Sequence, residues 1–133
     1  MSLLNTFAKT LLLSVFILVM GCSSSDATPL AEISPQQAAE IVESDAAVII
    51  DVRTQSEWDA GHIPGAIHIP LSEVKGRLDE FKAFEGKEIV MQCRSGKRSA
   101  AAGKILLAAG YEDVSNLTGG INAWGKAKLP VEQ

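Results

Sequence analysis

Cysteine and histidine are scarce in this chain, with two of each among 133 residues. Two cysteines cannot build a multi-disulfide scaffold, and no Cys/His cluster has the spacing of a zinc site, so no metal is expected. Basic residues are outnumbered: 12 Lys+Arg against 16 Asp+Glu leave a net charge of −4. That balance offers no bulk attraction to nucleic acid or anionic lipid. No apolar run reaches the roughly 20 residues needed to span a bilayer. Internal repeats and low-complexity stretches are absent after residue 29. What remains is 47% hydrophobic and 21% charged, which excludes wholesale disorder, and the length suits one domain.

The first twenty residues carry a single charge, Lys9, and an apolar stretch from Leu11 to Leu13 and from Val15 to Met20. A short apolar segment after a weakly basic start reads as an export signal. It stops at Gly21-Cys22 and gives way to the small, polar run Ser23 to Pro29. This pattern resembles a bacterial lipoprotein signal, in which small or neutral residues precede a Cys that is lipidated and then becomes the first residue. The resemblance implies residues 1–21 as signal peptide, lipidation at Cys22, and residues 22–29 as a tether. The protein would be exported and lipid-anchored to a bacterial membrane, the outer membrane facing the periplasm in a Gram-negative cell. An uncleaved anchor, or cleavage elsewhere with Cys22 incidental, is the alternative.

Beyond the tether, strands and helices are expected to alternate. Ser34-Pro35-Gln36-Gln37 has the form of a capping box opening a helix, and Thr54-Gln55-Ser56-Glu57 repeats it. Ala47 to Val52 is a continuous apolar run, as in a strand buried on both faces, and Lys87 to Gln92, with Ile89-Val90-Met91 at its centre, reads as another buried strand. Ala66 to Ile69 and Val114 to Leu117 are shorter strands. A helix is expected over Ser72 to Phe81, weakened by Gly76, and another from Arg98 or Ser99 to Ala109, closed by Gly110. This alternation predicts an α/β fold with a mainly parallel central sheet flanked by helices in three layers. Ligands of such sheets sit beyond the carboxyl ends of the strands.

At one such end stands Cys93-Arg94-Ser95-Gly96-Lys97-Arg98-Ser99. A thiol follows a buried strand, and five residues return the chain to a helix. Backbone N–H groups turned inward at a helix N-terminus make an anion cradle. Three basic side chains and the helix end favour thiolate, so the Cys93 pKa is expected below the ordinary thiol value. Gly96 permits a positive φ. Ser95 and Ser99 can donate to an anion, and Ser99 can alternatively cap the helix. A small buried hydrophobe at a strand end is the plainer reading of Cys93.

Cys93, Arg98 and Ser99 fit the pattern of a Cys, four residues, Arg and Ser/Thr that opens a helix in rhodaneses, the thiosulfate-sulfurtransferase-like family. Asp51-Val52-Arg53, Glu57-Trp58, Gly61-His62-Ile63-Pro64-Gly65-Ala66 and the closing Gly119-Gly120-Ile121-Asn122-Ala123-Trp124 also resemble that family, over about residues 30–130. The resemblance implies a rhodanese-like domain that moves a sulfane sulfur through a Cys93 persulfide, from an anionic donor such as thiosulfate to cyanide or a thiol, without a cofactor. Arg94 to Ser99 would bind the substrate, with Arg94 and Lys97 at its sulfonate end and Arg98 either there or bracing the loop. Asp51 would support by accepting from Arg98 or loop amides, a plain strand-end cap being the alternative. Arg53 and Glu57, four apart, are expected to form an ion pair. His62 and His68 are not expected to be bases, and Trp58 and Trp124 read as core or rim. Two rival functions are a non-catalytic binding module and a cysteine phosphatase, whose cradle has five residues between Cys and Arg.

Overall fold

The computed structural model describes residues 27–133; the expected signal peptide, Cys22 and the first part of the tether lie outside them. The described chain runs β1 (Ala31–Ile33), α1 (Pro35–Glu43), β2 (Ala47–Asp51), α2 (Gln55–Asp59) and β3 (Ile67–His68). It continues through α3 (Leu71–Val74), a 3₁₀ segment (Lys75–Phe84), β4 (Glu88–Gln92), α4 (Lys97–Ala108), β5 (Val114–Leu117) and α5 (Gly120–Lys126). All strand pairs are parallel, in the order β1-β5-β4-β2-β3. The predicted α/β class is therefore the observed one.

Both capping boxes form. Ser34 Oγ accepts from the Gln37 amide at 3.2 Å while Gln37 Oε1 accepts from the Ser34 amide at 3.1 Å. Thr54 and Glu57 do the same for α2. Two expectations fail locally. The helix over Ser72 to Phe81 is instead one turn of α-helix followed by 3₁₀ turns, broken at Arg77 (φ −122°, ψ 20°). Gly76 weakens the α-helix there, and Arg77 is held by Glu73 and Glu80 on either side, each at 2.8 Å. The strand β1 was not expected, because three residues at an exposed sheet edge show no usable periodicity.

The sheet divides the apolar residues by strict alternation. Ile50, Val52, Ile89 and Met91 face one layer with Val74, Phe81, Ala102 and Leu106; Cys93 belongs to this side. Ile49 and Val90 face the other, with Ala38, Ile63, Leu117 and Trp124. From β2 the chain passes to β3 on one side and then crosses back to β4 on the other. The strand order thus reverses between β2 and β4, where Asp51 and Gln92 are paired at the carboxyl ends. Crevices form at such reversals.

Candidate active site

The loop after β4 curls over its own sulfur. Cys93 is 1% exposed. Its Sγ accepts from the Gly96 amide at 3.1 Å and from the Ser99 hydroxyl at 3.2 Å. Gly96 has φ 105°, a left-handed conformation, and is itself the N-cap of α4, without a side-chain cap. The helix therefore begins at Lys97, earlier than the sequence suggested, and Ser99 is free of capping. Burial pushes the Cys93 thiol up, but the Ser99 hydroxyl and the amides of Ser99, Gly96 and Ser95 outweigh it and bring the pKa below its ordinary value. The direction is the expected one. Its leading cause is local hydrogen bonding in the first turn of α4 rather than the basic side chains.

The outer face of the loop is clamped by α5. The Ile121 amide donates to the Cys93 carbonyl at 2.8 Å and the Asn122 amide to the Arg94 carbonyl at 3.2 Å. The Gln92 side chain donates to the same Cys93 carbonyl at 2.6 Å. Gly119 and Gly120 have φ 76° and 58°, and a Cβ on Gly120 would collide with the Cys93 carbonyl oxygen. The glycine pair is thus what lets the two backbones meet.

The charged residues divide in a way that sequence spacing did not foretell. Arg94, Ser95 and Lys97 are exposed, and neither cation has an ion-pair partner among the described residues. Arg98 turns to Glu57, with two hydrogen bonds of 2.8 Å that tie α4 to α2. These bonds, against a smaller cost of burial and with help from Thr54, hold the Glu57 carboxyl well below the usual range. The expected Arg53–Glu57 pair does not form. Arg53 precedes the Thr54 N-cap, so the i,i+4 rule for helix faces does not reach it. Its guanidinium instead binds Asp51 (Nη2 to Oδ2 2.7 Å) and the Gly61 carbonyl at 2.7 Å. Asp51, 0% exposed, is occupied by Arg53 and its amide, not by Arg98 or loop amides as expected. It braces the wall beside the site.

Trp58 is stacked between two imidazoles, 3.7 Å from His62 and 4.8 Å from His68 by ring centroids. His62 Nδ1 donates to the Trp58 carbonyl at 3.0 Å and His68 Nε2 to the Arg53 carbonyl at 2.8 Å. Both histidines thus serve the fold. Trp124 is core. Sequence reasoning missed Gln92, Glu32 and Asn116, which stand behind the loop. The available signals were polar residues within the strands, Gln92 closing β4 and Asn116 beside Ser115 in β5.

Residues 34–127 match the family model described as the rhodanese-like domain. Over 103 residues the chain is 39% identical to the putative sulfur carrier protein YrkF of Bacillus subtilis, covering 77% of this chain and 55% of that protein. It is 35% identical over 91 residues to a sulfurtransferase of Allochromatium vinosum, covering 68% of this chain and 83% of the relative. Among solved structures, the human single-domain sulfurtransferase TSTD1 superposes with a TM-score of 0.65 at 30% identity, over 74% of this chain and 96% of that one. The chain therefore spans only about half of YrkF but most of the two single-domain relatives.

Proposed function

The chain belongs to the rhodanese-like family, and from that membership we propose a sulfurtransferase in which Cys93 carries the transferred sulfur. The sulfurtransferase relatives support sulfur transfer in general. The observation that carries the finer reading is the buried Cys93 Sγ, held by the Gly96 amide and the Ser99 hydroxyl at the mouth of α4. A thiolate there attacks the outer sulfur of thiosulfate. The S–S bond of the donor breaks, sulfite leaves with its electron pair, and Cys93 becomes a persulfide anion. Cyanide or a thiolate then takes the terminal sulfur and returns Cys93 to thiolate. Charge is conserved in each step, and no redox partner is consumed. Amides aimed at the sulfur stabilise anion in both halves of the cycle.

Arg94 and Lys97 are free to meet the sulfonate oxygens of an anionic donor, whereas Arg98 is committed to Glu57 and braces the loop. That commitment also weighs against a phosphatase, which needs the Arg of its loop turned onto the phosphoryl group. The retained thiol and its amide donors weigh against a non-catalytic binding module. Incubation with thiosulfate is expected to raise the intact mass by about 32 Da, one sulfur. Cyanide should remove the increment, and Cys93→Ser should never gain it. An unchanged wild-type mass would overturn the reading. Export and anchoring at Cys22 are part of the same proposal, supported by the sequence pattern alone.

A further inference from the structure

Behind Cys93 a chain of polar side chains crosses the sheet. The Ser99 hydroxyl lies 3.2 Å from Cys93 Sγ and 2.6 Å from Asn116 Oδ1. It has one proton and two acceptors. The Asn116 amide cannot turn over to resolve the contest. Its Nδ2 donates to Glu32 Oε1 at 3.0 Å and to the Gly96 carbonyl at 3.1 Å, so a flip would set oxygen against two oxygens. Glu32 is itself held by the Thr118 hydroxyl at 2.7 Å. Ser99 is 0% and Asn116 4% exposed, so water does not readily replace a lost partner.

We propose that Asn116 is a positioning residue for Cys93, whose side-chain oxygen competes with the sulfur for the Ser99 hydroxyl proton. With Cys93 protonated, Ser99 donates to Asn116 and every group is satisfied. With Cys93 ionised, Ser99 must swing its proton to the sulfur, and the buried Asn116 oxygen loses its donor. Asn116 therefore opposes ionisation, and the amide donors of α4 favour it. The balance keeps the thiolate basic enough to remain a good nucleophile, since nucleophilicity falls as thiol pKa falls. Once Sγ bears a second sulfur it is no longer the anionic atom, and Ser99 returns to Asn116. That last consequence rests on the persulfide reading above; the control of ionisation does not.

The charged groups around the sulfur are Arg94, Lys97 and Arg98 on its own loop and helix, Glu57 from α2, Asp51 with Arg53 from the end of β2, and Glu32 from β1. β5 and the first turn of α5 contribute no ionisable side chain. Of these groups only Glu32 loses a partner when Asn116 is replaced, the Nδ2 donor at 3.0 Å. The variants are therefore read in a Glu32→Gln background, where the effect is separable by the pH dependence of Cys93 alkylation with iodoacetamide.

Asn116→Leu, similar in size and lacking the acceptor, is expected to move the alkylation midpoint down by about half a unit to one unit. The Gly96 carbonyl keeps its helical donor, the Ala100 amide at 3.1 Å, so the cradle persists. Asn116→Ala removes the same acceptor with less bulk and is expected to move the midpoint in the same direction. In a Ser99→Ala background Asn116→Leu should shift nothing. An unchanged or raised midpoint in Asn116→Leu, or the same shift without the Ser99 hydroxyl, overturns the proposal. Should Asn116→Leu fail to fold, Asn116→Ala decides alone, and a midpoint that stays or rises refutes it. Wild-type protein that titrates as described but takes up no sulfur from thiosulfate would sink the function and leave the role of Asn116 standing.

Discussion

Gly120 shows how much the site asks of a single position. It needs both a left-handed φ of 58° and room for the Cys93 carbonyl, which a Cβ would strike. Gly86 has φ 86° but nothing within 4 Å of a Cβ. Comparing alanine at the two positions separates backbone strain from collision. Gly86→Ala is expected to cost about 1 kcal/mol by denaturant unfolding. Gly120→Ala should cost roughly 2–4 kcal/mol and abolish sulfur uptake, because the clamp on the loop must open. Equal costs would mean that α5 does not press on the loop. At this scale the sequence displayed the thiol, its glycine and its serines in one contiguous run. It concealed their partners, since Asn116 reaches Ser99 from β5 and Glu32 reaches Asn116 from β1, across long stretches of chain. The Asp51–Arg53 pair was hidden differently: helical spacing points Arg53 to Glu57, but Arg53 stands before the helix.

Between elements, one ion pair joins the start of α4 to α2. Side-chain exposure is 35% at Arg98 and 28% at Glu57, so solvent screens the pair in part. Glu57→Gln is expected to lose about 1 kcal/mol at neutral pH. Because the folded Glu57 carboxyl is held below its unfolded value, this stabilisation is complete above the ordinary glutamate pKa of about 4.3. It fades as pH falls below that point toward the depressed folded value. Urea unfolding of wild type and Glu57→Gln should therefore converge in acid; a gap that stayed constant down to low pH would disprove the assignment. Elements with a start signal were legible: both capping boxes sit where the sequence put them. The 3₁₀ segment was not, because a mixed polar and apolar run around Gly76 looks the same in either kind of helix, and its outcome depends on packing.

For the whole molecule, alternation of strands and helices sufficed to foresee a parallel sheet and to locate the site at its carboxyl end. It left out the edge strand β1, whose three residues gain strand geometry only from pairing with β5. Anchoring is testable at this scale too. Full-length protein expressed in a bacterium should enter the detergent phase on Triton X-114 partitioning, and Cys22→Ala should move it to the aqueous phase. Partitioning that ignores Cys22 would discard lipidation. The entry of the chain gives that experiment a geometric meaning. Ala27 and Thr28 lie in a groove beside Lys104, Leu107 and Ala108, toward the far end of α4 from Cys93. Twelve helical residues separate the two ends by about 18 Å. A lipid attached upstream, as proposed, would hold the domain from the end of α4 opposite the reactive sulfur.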